Sequence, residues 1–383
     1  MRPHTLRTGI MKKKTYLWML AVIFIYGLGV SCSTEGDVVY LPDPEEQKAS
    51  TAPLVTVVYD ADGVGDQSYN DLIYRGVEET ADRYGLRTLQ LSPQTNAEGL
   101  ATLERLFQQM STANDTIRRL CIVASPVYDE FVRKNSHRLE SNQRAALLYL
   151  ETDTPLESKG STLYLPYYGA MYEAGNIAPL FASKVTLLGA NPVNESVAEA
   201  INGFTAGFND RQATIAATGK EEDGEGFKKG VLTTEYIGKE ASEGFAIDDE
   251  TALLLIDYCA LQNQYADLLV PICGGAANTF ARLAEITTAY SFLGVDCEQN
   301  SVYSHFSAVK HIDRAVAMCI GQWLSADGMP KHQSLGLGSG YTEVVLHPQN
   351  SVFKSLVQRY LPDAVRTDIH QQAIKKESDL SEK

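Results

Sequence analysis

From residue 53 onward, short β-branched and apolar runs alternate with longer amphipathic stretches, and the alternation runs through twice. Parallel strands cannot be joined by a tight turn; they need a crossover, usually a helix, so this rhythm predicts parallel sheets covered by helices. The first series predicts strands over Leu54–Tyr59, Arg87–Leu91, Leu120–Ala124 and Ala146–Leu150. Helices are predicted over Tyr69–Tyr84, Ala97–Met110 and from Tyr128. Leu72, Ile73, Val77, Ala81 and Tyr84 share one helical face, and Ser68 and Asp71 suit its cap. After a Tyr-rich stretch (Tyr164, Tyr167, Tyr168, Tyr172) and a short helix, the pattern restarts. Strands are predicted at Val185–Leu188, Val231–Tyr236, Leu268–Ile272 and Phe292–Val295, with helices at Val197–Phe208, Asp249–Leu261 and Asn278–Thr288. Two such series imply an α/β protein of two similar, doubly wound lobes, and 383 residues suffice for about two domains. Lys220–Lys229 is charged and Gly-bearing and reads as a surface loop.

The first thirty residues obey a different logic. Arg2, Arg7 and Lys12-Lys13-Lys14 precede an apolar run from Tyr16 to Val30, with no acidic residue among them. This is the pattern of a secretory signal. Gly29-Val30-Ser31-Cys32 resembles a bacterial lipobox, in which Cys32 becomes the acylated N-terminus, although Gly29 stands where Leu is usual. The other reading, an uncleaved anchor, needs about 20 apolar residues, more than this run has. Ser33 to Lys48 is polar, Pro-containing and tether-like. Its acidic start resembles the surface-export signal of Bacteroidetes lipoproteins.

The chain carries 33 Lys+Arg and 48 Asp+Glu, a formal charge of −15. Removing the five basic residues of the leader leaves 28 against 48, or −20. Such acidity argues against nucleic-acid polymers and anionic lipid surfaces as partners. Five cysteines remain after Cys32 (Cys121, Cys259, Cys273, Cys297 and Cys319), without a CxxC, and read as buried free thiols. The His residues form no HExxH, so no metal is expected. There is no Gly-x-Ser-x-Gly elbow, and Gly336-Leu337-Gly338-Ser339-Gly340 lacks the Gly-Lys-[Ser/Thr] end of a P-loop. No catalytic residue and no cofactor are expected.

Open parallel sheets bind ligands beyond the carboxyl ends of their strands. Those ends hold Asp60 to Asp71, Ser125-Pro126-Val127-Tyr128, Glu151-Thr152-Asp153, Cys273 to Asn278, and Asp296-Cys297-Glu298-Gln299. Carboxylates there can accept from the vicinal hydroxyls of sugars or ribose, and an aromatic can stack on a flat ring. Singly, each has a plainer reading: Asp60 and Asp66 as turn formers, Gly274-Gly275 as a tight turn, Tyr69 as packing.

Asp60 to Gly76, D-A-D-G-V-G-D-Q-S-Y-N-D-L-I-Y-R-G, is similar to the opening motif of the basic membrane protein (BMP) family. Gly294-Val295-Asp296-Cys297-Glu298-Gln299 resembles its G-V-D-x-D-Q, and Ser304 to Val316 its T-S-x-x-K-x-x-D-x-A-V. Cys273-Gly274-Gly275 matches the glycines of its A-G-G turn, and Lys184-Val185 with Gly203-Phe204 and Gly207-Phe208 resembles its K-V-G…G-F-x-x-G, with Thr186 where the first Gly would be; along the chain the motifs keep the family's order. The resemblance spans about residues 54–346. It implies a type I periplasmic binding protein fold, two lobes joined by three crossovers about a hinge, in a lipoprotein that binds nucleosides for an ABC importer. It further implies that Tyr69 stacks on the base and Asn70 hydrogen-bonds it. Asp296 and Lys310 would hold the ribose, and Gly274 or Gly275 would give close backbone approach, with Asp60 matching the first Asp of the motif. Glu151 or Asp153 would stand for the family's base-recognising carboxylate, and Phe245 or Tyr236 for its second aromatic. Tyr69 replaces the usual Phe and Gln67 the usual Lys.

The expected division is a signal peptide over 1–31, a tether over 32–52, and an N-terminal lobe of 53–152 with about 296–320. A C-terminal lobe of 153–295 with about 321–362 and a polar tail over 363–383 complete it. The expected function is capture of a nucleoside-like ligand for an ABC permease by a protein held at the cell envelope, periplasmic or outer-membrane, through lipid on Cys32. The alternative is a surface-exposed lipoprotein of the same fold acting as scavenger or receptor without a permease.

Overall fold

The computed structural model describes residues 51–61, 63–218, 227–262, 267–287, 290–299, 301–347 and 351–381. The expected signal peptide, Cys32, the tether up to residue 50 and most of the 220–229 loop lie outside the described residues.

The first sheet has the order β11-β5-β4-β3-β1-β2, formed by β1 (Leu54–Val58), β2 (Arg87–Leu91), β3 (Arg119–Val123), β4 (Ala145–Leu150), β5 (Ser161–Tyr164) and β11 (His332–Ser334). The second has the order β12-β10-β9-β8-β6-β7, from β6 (Lys184–Gly189), β7 (Val231–Tyr236), β8 (Leu268–Ile272), β9 (Ser291–Asp296), β10 (Ser304–Lys310) and β12 (Thr342–Leu346). The pairings are parallel except that of β10 with β12. β1, β3 and β8 are buried along their whole length, as continuous apolar runs between two helical layers must be.

Helix α1 (Tyr69–Tyr84) packs Leu72, Ile73 and Val77 into the core of the first sheet and ends at Gly85, whose φ of 63° supplies the left-handed turn. Its N-terminus is capped by neither residue expected from sequence. Asp66 accepts from the backbone N–H groups of Ser68 (2.9 Å), Asn70 (3.0 Å) and Asp71 (3.1 Å). A carboxylate offers more acceptor sites than the Ser68 hydroxyl, and its charge complements the helix dipole. Asp71 instead accepts from Gly65 N–H at 2.6 Å and Gln67 N–H at 2.9 Å, folding the preceding loop onto the helix.

Further helices are α2 (Asn96–Thr112), α3 (Asp129–Asn135), α4 (Tyr168–Ile177), α5 (Glu195–Thr218), α6 (Asp249–Gln262), α7 (Ala276–Thr287), α8 (Ile312–Leu324), α9 (Ser351–Tyr360) and α10 (Asp363–Ser381). The chain passes between the sheets three times, after β5, after β10 and after β11. The lobe boundaries differ from the expected division. The first sheet continues past residue 152 through β5 and later gains β11. Conversely, β10 belongs to the second sheet, and the return to the first lobe begins at α8, where Ile312, Val316, Cys319 and Ile320 join the first core. β5 and β11 span only four and three residues, too few to show a period.

The expected polar tail is helix α10. Ile369, Ala373 and Glu377, spaced one turn apart, face inward. Three inward positions make too narrow a stripe to stand out in a polar segment. Glu377 accepts from Gly169 N–H and Leu337 N–H, each at 2.8 Å. It thereby caps α4 and a short 3₁₀ turn beside two of the crossings, and burial pushes its carboxyl up to about 7. The five cysteines from Cys121 to Cys319 are free thiols, and all but Cys297 are buried.

Candidate functional site

The carboxyl ends of β1 and β4 in one lobe face those of β8, β9 and β10 in the other, and polar side chains converge there. Lys310, the last residue of β10, is the centre. Its side chain is 6% exposed, and its Nζ lies 3.3 and 3.4 Å from the two carboxylate oxygens of Glu151, itself 5% exposed, at the end of β4. The ion pair therefore joins the two lobes. The ammonium also sits 4.8 Å from the ring centroid of Tyr167, a cation–π distance. Asp296 ends β9 in register with Val309, beside Lys310.

The charges do not balance. Burial alone would discharge Lys310, but Glu151, Asp296 and Glu199 outweigh it and hold the ammonium above its ordinary value. Burial raises the carboxyls of Glu151 and Asp296 above the usual range, with Lys310 opposing the rise in each. The Tyr69 phenol is driven well up by burial and by the nearby carboxylates of Glu151, Asp60 and Asp296. Several carboxylates thus surround the Lys310 ammonium, an arrangement that accepts hydrogen bonds from hydroxyls and repels anions.

The backbone is strained at the same place. Among the described residues, three non-glycine residues are left-handed: Gln67 (φ 50°), Glu151 (φ 56°) and Asp296 (φ 67°). All three line this cleft. Such conformations cost about 1–3 kcal/mol each and persist where the surroundings enforce them. Buried polar atoms without a hydrogen-bond partner also lie here: Ser68 Oγ and Asn70 Oδ1. The Tyr69 hydroxyl is buried near Glu151 without a well-aligned bond. Native interiors rarely leave such groups unmatched, so a cluster of them marks a surface that a ligand can satisfy.

The expected residues are brought together unequally. Asp60 lies 3.5 Å from Asn70 Nδ2 and accepts from Gly63 N–H at 3.4 Å. Gly274 is left-handed (φ 54°), and a Cβ there would stand 3.1 Å from the Phe245 ring, which covers the turn. A Cβ on Gly275 would come within 3.1 Å of Asp66 Cβ in the opposite lobe, so the lobes touch there. Asp153 is exposed and accepts from the Thr154 hydroxyl at 2.9 Å, whereas Glu151 points into the cluster.

Tyr167 was not singled out by the sequence. Its hydroxyl donates to Ala308 O at 2.5 Å and accepts from Asp296 N–H at 2.9 Å, fixing the left-handed Asp296. Glu199 of α5 was missed as well; it accepts from Tyr164 at 2.5 Å across the lobes. The Tyr-rich stretch was the available signal, but which of its rings faces the cleft depends on where the chain crosses.

No described protein family and no curated protein matches this sequence. Among solved structures, the chain is similar to a solute-binding protein of an ABC transporter system from Aeropyrum pernix K1, with a TM-score of 0.62, 18% identity and coverage of 86% of this chain and 89% of that one. It is similar to a transcriptional activator of the comK gene from Bacillus halodurans at TM-score 0.60 and 13% identity, covering 85% and 98%. A third is an ABC transporter periplasmic solute-binding protein from Actinobacillus succinogenes 130z with bound D-allose, at TM-score 0.56 and 14% identity, covering 79% and 99%. At such identities the likeness is one of fold. The fold is that of the type I periplasmic binding proteins: two lobes of predominantly parallel sheet with flanking helices.

Proposed function

We propose that this chain is a solute-binding protein that closes its two lobes on a neutral, hydroxyl-rich ligand of the nucleoside type and presents it to an ABC permease. The observation that carries this reading is the buried Lys310–Glu151 pair between the lobes, flanked by Asp296, Asp60 and Tyr69. Asp296 and Lys310 suit the two edges of a ribose diol, as acceptor and donor. Tyr69 offers a face for the base, Asn70 an amide, and Phe245 a second aromatic from the other lobe. Glu151, facing inward, is the better base-recognising carboxylate than exposed Asp153. The carboxylate excess speaks against nucleotides, whose phosphates it would repel.

A thermal-shift screen of the purified chain against nucleosides, nucleotides, free bases and sugars tests this. A ligand at about 100 times its Kd stabilises by about 2.7 kcal/mol. Nucleosides are expected to raise the melting temperature and the matching monophosphates to leave it unchanged. A response to nucleotides or to bases alone would overturn the assignment.

We also propose that Cys32 carries the lipid that holds the protein at the cell envelope, a reading that rests on the leader and on the small residues before Cys32. Cys32→Ser is expected to move the protein from the membrane fraction to the soluble one. Retention of an unlipidated Cys32→Ser chain in membranes would identify the leader as an anchor.

A further inference from the structure

A chain of protein-only contacts crosses the cleft beside the candidate ligand site. Asn278, in the first turn of α7, donates through Nδ2 to the backbone carbonyls of Asp66 (2.8 Å) and Gln67 (3.3 Å) in the opposite lobe. Its amide is oriented from behind, because Asn278 Oδ1 accepts from Gln299 Nε2 at 2.8 Å. Gln299 is held in turn: its N–H donates to Ser307 Oγ at 3.2 Å, and Ser307 is hydrogen-bonded to buried His347 at 2.8 Å. The receiving loop is equally fixed. Asp66 and Asp71 fold it through their carboxylates, and Gln67 is left-handed at φ 50°. Gly275 allows the close approach, and the Cys297 thiol meets the Gln67 carbonyl at 3.6 Å.

We propose that Asn278, oriented by Gln299, is a latch that sets the energy of lobe closure without touching the ligand. Two bonds from one amide to two carbonyls are broken when the lobes part. A preset amide loses little freedom on closing, so the bonds favour the closed form. Both ends lie close in sequence to candidate ligand residues: Gln67 precedes Tyr69 and Asn70, and Gln299 follows Asp296. Ligand and latch therefore act on the same closure equilibrium, and closure stabilised by protein atoms alone raises the apparent affinity for whatever the cleft holds. As a positioning residue Asn278 governs release more than encounter. The part concerning affinity rests on the ligand-capture reading above; the part concerning closure does not.

The test has two arms on the full chain. In the first, small-angle neutron scattering with the detergent contrast-matched compares wild type, Asn278→Ala and Gln299→Ala without added ligand. Both variants are expected to have a larger radius of gyration than wild type. Equal radii would overturn the latch, whether or not the protein binds nucleosides. In the second arm, stopped-flow measurement with inosine as the probe is expected to show about tenfold faster dissociation for Asn278→Ala, with the association rate within about twofold of wild type. The double variant is expected to dissociate no faster than Asn278→Ala, since both changes remove one latch. Additive effects would mean that Gln299 acts elsewhere. If wild type ignores inosine while the variants still expand, the ligand assignment fails and the latch stands. Should Asn278→Ala not fold, Gln299→Ala, which spares the lobe-to-lobe contact atoms, carries both arms.

Discussion

Lys310→Met is expected to abolish nucleoside binding and to lower the stability of the fold by about 3–5 kcal/mol at neutral pH, the cost of stranding a buried ionic partner. Methionine keeps the apolar stem of Lys310 but leaves the Glu151 and Asp296 carboxylates without their cation. The loss carries a pH signature. Both carboxyls already sit above the ordinary range because of burial, and removing the ammonium that opposes this raises them further. An acid whose pKa is raised in the folded state favours folding while protonated and loses that contribution as pH rises through the raised value. The deficit of Lys310→Met relative to wild type is therefore expected to be largest near pH 8 and to shrink toward pH 5. Calorimetric melting across that range checks it. A deficit of equal size at pH 5 and pH 8 would show that the stranded carboxylates are not its cause.

Asp296→Asn is expected to weaken inosine binding at least about 100-fold, the loss of two hydrogen bonds to a charged acceptor. Asparagine tolerates the left-handed backbone at φ 67°, so the change removes charge and acceptor capacity without straining the chain. The fold should persist, with Tyr167 still accepting the residue's N–H. Titration calorimetry reads the affinity, and the melting temperature of the ligand-free variant controls for damage. Unchanged affinity would remove Asp296 from the ligand site.

The central strands were legible in the sequence because β1, β3 and β8 are buried on both faces and so appear as unbroken apolar runs. β10 was not, for the opposite reason. Its buried positions include Ser304, Ser307 and Lys310, polar residues that interrupt the apolar run by which a buried strand is read. The same trade-off is seen at the site. Asp296, Lys310 and Tyr69 could be singled out because strand ends and a motif mark them. Tyr167, Glu199 and Asn278 could not, because each owes its place to where the chain crosses between lobes or to which loop it meets across the cleft. Local periodicity specifies a side chain's own element, and these contacts are made between elements far apart in the chain.

The grip of Glu377 on Gly169 and Leu337 bears on how the molecule is made. Two of the three lobe crossings take their backbone caps from a side chain of α10, 208 residues after Gly169 and 40 after Leu337. The first lobe likewise awaits β11 at His332–Ser334 to complete its edge. Emerging N-terminus first, the chain can build most of each sheet early, yet its hinge stays uncapped until α10 arrives. Final articulation of the two halves thus waits on α10, long after the strands it serves have been made.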